Sequence, residues 1–145
     1  MNVNLFTYGV LMYEELTTLL TGKSFVSIPG VLMNHQRLTL NKKNWSEIAV
    51  VIEKERTLVN GYVLMNIDLD SLQIFDKFEQ IESDLYRRTS SVAILDSGEA
   101  VDVEVYLGGS LTVGCLSGEW VESEFIHKYY QEYKDRIIPE FLGAV

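Results

Sequence analysis

The stretch that most restricts the fold is a β-hairpin. Residues Tyr86 to Leu95 and Ala100 to Leu107 are two strand-forming runs, joined by the turn formers Asp96-Ser97-Gly98-Glu99. Within VDVEVYL, Val101, Val103, Val105 and Leu107 point one way, while Asp102, Glu104 and Tyr106 point the other. Such alternation belongs to a sheet with one face against a core, and it sets Tyr106 on the face opposite the valines.

Further strand-like segments precede this hairpin. Val3 to Tyr8 reads as a first strand, stopped by Gly9, and others follow at Ser24 to Ile28, Gly30 to Leu40, Glu47 to Glu53 and Leu58 to Ile67. Lys54 to Thr57 is a polar interval between the last two and predicts a hairpin turn. Helical patterns are fewer. Tyr13 to Leu20 predicts a short helix with Gly22 as its C-terminal cap. Asp68 or Asp70 can cap a second helix, whose Leu69, Leu72, Phe75 and Phe78 recur at helical spacing. A final amphipathic helix is expected over about Glu119 to Tyr133, closed by the Pro139 region, with Phe125, Tyr129, Tyr130 and Tyr133 read as core packing. No internal repeat is visible. Many strands with interspersed helices predict an α+β fold: a small closed or nearly closed mixed or antiparallel β-barrel with a few flanking helices, not a doubly wound parallel sheet.

Size and charge narrow the function. The 145 residues are 47% hydrophobic and 23% charged, with two prolines and no linker-like tract, so residues 1–145 are expected to form a single domain. The 21 acids against 12 bases give a formal charge of −9, which repels phosphate backbones and anionic bilayers. Neither nucleic acid nor membrane is an expected partner. MNVNLFTYG lacks the features of a signal peptide, and no run approaches the roughly 20 apolar residues of a membrane span, so a cytoplasmic location is expected. Cys115 is the sole cysteine, and the sole histidines are His35 and His127, a thin basis for a metal site. We expect no metal and no cofactor. Chemistry must then rest on carboxylates, hydroxyls or backbone amides.

One carboxylate stands out. From Leu72 the same helical face is revisited at Phe75 and again at Glu79, so Glu79 projects from the buried side. Desolvation there, and the like charge of Asp76 one turn earlier, would raise its pKa toward neutrality, as a general acid and base requires. On spacing alone an acid at the edge of an apolar face is also an ordinary surface feature, with Asp76, Lys77, Glu82 and Asp84 as its solvated side. Earlier in the chain, a strand stopping at Gly9 leaves the amides of Gly9, Val10 and Leu11 without ladder partners. Such amides can bind a carboxylate or a developing oxyanion; equally, Gly9 can simply end a core strand.

FTYGVLM and, about seventy residues later, FDKFEQIESDLYRR resemble the two signature segments of the gamma-glutamylcyclotransferase-like superfamily. These are an aromatic-Tyr-Gly-Ser/Thr-Leu/Asn strand end and a Leu-Asp-x-x-Glu-Gly helix end followed by a tyrosine. The Asn60-Gly61-Tyr62 strand, the Tyr86-Arg87-Arg88 strand and VEVYL fall in the order expected around them. The resemblance implies a small-molecule gamma-glutamyl substrate, whose α-amino group attacks its own γ-carbonyl to form 5-oxoproline and release an amine. It implies Glu79 as acid/base and Tyr8, Gly9, Val10 and Leu11 as the substrate-binding loop. Tyr86 matches the tyrosine after the glutamate, and Tyr106 lies where a strand tyrosine lines the pocket; both are expected to offer hydroxyl hydrogen bonds.

Two positions depart from the pattern: Val10 stands for the usual Ser or Thr, and Gln80 for the usual Gly. Glu82 is the alternative acid if the local match slips. Of Arg87 and Arg88, at most one is expected to face the cavity, and Trp45 is expected to anchor a loop. A catalytically silent member, using the same cavity for a small anion or a protein partner, is the alternative function. The leaving amine and the oligomeric state stay open.

Overall fold

The computed structural model describes residues 2–41 and 48–143. Trp45 and Glu47, for which the sequence suggested a loop anchor and a strand start, lie outside these described residues.

Five strands close into a mixed barrel: β1 (Val3–Thr7), β2 (Ser27–Leu40), β3 (Ile48–Ile67), β4 (Tyr86–Leu95) and β5 (Ala100–Gly108). Around the ring the order is β1–β3–β2–β4–β5, and β5 returns to β1 through a parallel contact at Leu5 and Glu104. The other pairs along this ring are antiparallel, and β3 also meets β5 in a parallel contact at Val51 and Leu107. A short β6 (Leu116–Glu119) extends the β2 edge and was not expected from the sequence. The β4–β5 hairpin forms as its alternation predicts, with Tyr86 opposite Gly108 and Ile94 opposite Ala100. Leu5, Val50, Val51, Val63 and Val105 are fully buried in the core.

Lys54 to Thr57 is not a hairpin turn. The 20-residue β3 runs through it, and both flanks pair with β2: Leu58 with Met33, and Glu53 with His35. Four residues on β3 therefore face Asn34 alone on β2, forming a bulge. Asn34 and Arg56 take φ of 60° and 65°, and the Thr57 hydroxyl donates to the carbonyls of His35 and Lys54, each at 2.8 Å. The polarity that suggests a turn is that of a solvated bulge. Ser27 and Ile28 join Gly30 to Leu40 in one strand through Pro29, which pairs with Tyr62, while residues 24–26 of the expected first segment lie outside it.

The helices pack on this barrel. α1 (Glu14–Thr21) buries Leu16 and Leu20 and ends at Gly22, whose φ of 72° is the left-handed cap that glycine adopts without strain. α2 (Leu69–Phe78) is capped by Asp68 rather than Asp70, its carboxylate accepting from the Ser71 amide at 3.1 Å and the Ser71 hydroxyl at 2.8 Å. Leu72 and Phe75 are buried, the latter against Phe25 with ring centroids 6.3 Å apart. Burying a ring of that size contributes about 2–3 kcal/mol. Leu69, grouped with them by spacing, is exposed, because it lies in the first turn outside the contact.

The C-terminal helical run starts at Glu122, not Glu119, which ends β6. It comprises α3 (Glu122–Lys128), the single turn α4 (Tyr130–Glu132), a π-type turn over Tyr133–Ile137 and α5 (Ile138–Gly143). Pro139 does not close the run but sits inside it. A proline lacks the amide and crowds the carbonyl four residues back, and the widened turn just before it accommodates both effects.

Candidate active site

A cavity of about 300 Å³ opens where the end of β1, the end of α2, the start of β4 and the π turn meet. Its lining includes Tyr8, Gly9, Val10 and Leu11, together with Glu79, Tyr86 and Tyr106. The fold thus brings these seven sequence-predicted residues together. Glu82 is exposed on the short turn after α2, away from the cavity, so the alternative acid is not placed to act there.

Glu79 is the C-cap of α2, and its amide donates to the Phe75 carbonyl at 2.8 Å. Desolvation, with the neighbouring Asp76 charge adding to it, pushes the Glu79 carboxyl up to about 8. The Asp76 carboxylate is itself fixed by three hydrogen bonds from two residues. Arg88 grips it in a fork at 2.9 and 3.2 Å, the Tyr106 hydroxyl donates to it at 2.7 Å, and Arg88 continues to Glu104 at 2.7 Å. Arg88 therefore braces α2 against β5 instead of facing the cavity, and Arg87 is exposed.

The binding loop follows from Gly9. A Cβ at this position would come within 3.1 Å of the Ala49 Cβ, so glycine lets the loop lie close against β3. Val10–Met12 then make one tight turn, closed by Met12 N to Gly9 O at 3.0 Å. Among the described residues, the amides of Gly9, Val10 and Leu11 donate to no backbone carbonyl. Buried amides are seldom left so, and a loop of this kind offers itself to an anion.

The tyrosines serve differently from expectation. Tyr86 and Tyr106 were expected to donate to a substrate, but the Tyr86 hydroxyl donates to the Ala49 carbonyl at 2.6 Å and that of Tyr106 donates to Asp76. Tyr8 donates to the Tyr106 carbonyl. Their protons are engaged in holding the wall, which leaves lone pairs for a ligand. Tyr133, read from spacing as core, is buried as expected and also lines the cavity, and among the described residues its hydroxyl has no hydrogen-bond partner. Burial, with the Glu79 charge added, holds the Tyr133 phenol protonated. Arg136 lines the same side but shares its guanidinium with Glu132 and Glu140. Nothing in the regular spacing marks Tyr133 or Arg136 as cavity-lining; Pro139, just after the π turn, is the one local signal. Phe125 is buried core as expected.

Among the described residues, no group of three or more His, Cys, Asp or Glu is arranged to hold a metal ion, and no helix is long and apolar enough to cross a membrane.

The model of the family "Gamma-glutamyl cyclotransferase, AIG2-like" matches residues 5–122. The chain belongs to that family. It is 32% identical over 117 residues to AIG2-like protein C of Arabidopsis thaliana and 26% identical to Protein AIG2 C of the same plant. These matches take in 81% of this chain but 65% and 68% of the relatives' lengths, so about a third of each relative lies outside them. The fold recurs in a solution structure of an Arabidopsis thaliana protein, with TM-score 0.70, 20% identity and coverage of 93% of this chain and 87% of that one. It recurs also in a structure described as a gamma-glutamyl cyclotransferase, with TM-score 0.68, 17% identity and coverage of 81% and 70%. A mouse AIG2-like protein gives 0.63, at 19% identity and 87% and 92% coverage. The family match ends at Glu122, so the wall carrying Tyr133 and Arg136 comes from outside the matched range.

Proposed function

We propose that this member of the family is a cofactor-free gamma-glutamyl cyclotransferase, converting a gamma-glutamyl amine, peptide or conjugate to 5-oxoproline and a free amine. The observation that carries the reading is a carboxyl pushed up to about 8, set in the same small cavity as a loop of unengaged amides.

The substrate attacks itself. Its α-amino nitrogen forms a bond to its own γ-carbonyl carbon, and the bond from that carbon to the leaving nitrogen breaks. One proton must travel from the attacking to the leaving nitrogen, and the Glu79 carboxylate accepts it as the ring closes and delivers it as the amine departs. A carboxyl near 8 is matched to an α-amino group of about 8, so the proton crosses with little driving force either way. Because both reactants belong to one molecule, the protein has chiefly to hold the bent conformer. The amides of Gly9, Val10 and Leu11 meet the carboxylate or the oxygen that gains charge in the tetrahedral state. Val10 removes a hydroxyl from this loop and leaves its amide donor in place.

Incubation with a panel of gamma-glutamyl amines and amino acids should release 5-oxoproline, and Glu79→Gln should abolish release. Since Glu79 acts as carboxylate, kcat/KM should rise with pH and reach half its plateau near pH 8. Full activity in Glu79→Gln would overturn the assignment. A protein that converts no panel member yet still binds 5-oxoproline would be the silent binding form instead.

A further inference from the structure

Arg37 approaches the binding loop from the side away from the cavity. It lies on β2 opposite Val51, and its Nη1 donates to the Tyr8 carbonyl at 2.8 Å. The guanidinium stands over the Trp120 ring, 4.9 Å from its centroid. Among the described residues no carboxylate lies within ion-pair distance of it, and its buried Nε has no hydrogen-bond partner. Burial lowers the Arg37 pKa, an unfavourable desolvation that the nearby charges of Glu122 and Glu119 offset only in part, so this placement calls for a further compensating gain.

The Tyr8–Gly9 peptide supplies one. The chain has no cis peptide bond among its described residues, so the Tyr8 carbonyl and the Gly9 amide point in opposite directions. With the carbonyl turned to Arg37, the amide is turned away from it, and Gly9 lines the cavity while Arg37 does not. A cation bonded to one end of a peptide withdraws density from the other and strengthens the hydrogen bond its N–H can donate, by a factor on the order of 10–30% per bond. We infer that Arg37 is a positioning residue that polarises the Tyr8–Gly9 peptide, making the Gly9 amide a strong donor to an anionic oxygen in the cavity. The identity of that oxygen, a substrate carboxylate or the reacting carbonyl, rests on the cyclotransferase reading; the polarisation does not.

A plain clamp between β2 and the loop would lower stability in variants without altering the Gly9 amide in particular. The test uses 15N-labelled protein in three forms: wild type, Arg37→Met, which keeps the bulk without the charge or donors, and Arg37→Lys, which keeps the charge. The Gly9 amide proton should move upfield in Arg37→Met by more than those of Val10 and Leu11, with Arg37→Lys in between. Affinity for 5-oxoproline, followed on the same resonances, should fall roughly tenfold in Arg37→Met and recover in part in Arg37→Lys. A Gly9 amide that coincides with wild type in both variants would overturn the inference, as would a shift shared equally along the loop. Should Arg37→Met fail to fold, the Arg37→Lys comparison decides by the same two criteria. If wild type bound no 5-oxoproline while the Gly9 shift still followed Arg37, the substrate reading would fall and the polarisation would stand.

Discussion

Burial of the Glu79 carboxyl works against folding. Its pKa is raised from 4.5 to about 8 in the folded chain, so the native state binds a proton that the unfolded state has released. Its contribution to stability is intact below about pH 4.5 and is lost as pH rises toward 8. Glu79→Gln should therefore be more stable than wild type at neutral and alkaline pH, by on the order of 2 kcal/mol and several degrees in Tm. The difference should vanish below pH 4.5, which thermal melts of both proteins across pH would show. Glu79 was legible because a 3.6-residue period reports which face a side chain takes, and desolvation follows from that face. Tyr133 and Arg37 were not, for separate reasons. The period through Phe125, Tyr129 and Tyr133 reports the burial of Tyr133 but not the cavity it borders, and the tie from Arg37 to the Tyr8 carbonyl spans 29 residues with no local pattern to announce it. The hydroxyls of Tyr86 and Tyr106 were assigned to a ligand for a related reason, since sequence shows a donor but not the nearby acceptor that engages it.

The end of α2 shows why the Gln80 departure leaves the site intact. Gln80 takes φ 54° and ψ 49°, the left-handed conformation for which the family pattern carries glycine, and its amide closes on Lys77 O at 3.1 Å. The glutamine thus keeps glycine's path, under strain, and Glu79 still faces the cavity. Gln80→Gly should relieve that strain, partly offset by a freer unfolded chain, for a net gain of about 0.5–1 kcal/mol in denaturant unfolding. Activity should be unchanged, because Glu79 does not move. Of the elements, those with a strict period or a clean turn were readable: β5, its hairpin with β4, and the buried face of α2. The β3 bulge was not, because a polar interval looks alike in sequence whether the chain reverses there or only swells out of a ladder. The distinction depends on which strand the flanks meet, and that is a property of the closed ring.

At the scale of the molecule, one arginine ties the layers. Arg88 on β4 holds Asp76 of α2 and Glu104 of β5, and Ser90 supports Glu104 at 2.6 Å. Arg88→Met would leave two partly buried carboxylates without their cation. It should destabilise by roughly 2–3 kcal/mol, less than a fully buried pair because water screens the site in part. The less compensated Asp76 charge should also move the midpoint of the pH–kcat/KM profile above that of wild type. Barrel closure itself followed from many strands in a short chain, whereas the order of strands did not, since β1 meets β3 and β5 across long separations. Those separations decide when the cavity comes into being. Its walls run from Phe6 near one end of the chain to Ile137 near the other, so no hairpin or helix pair carries a partial version of it. The complete pocket requires both the closed ring and the docked C-terminal turn. On the proposed reading, chemistry at Glu79 would require the finished molecule, and turnover would report the arrival of its last native contacts.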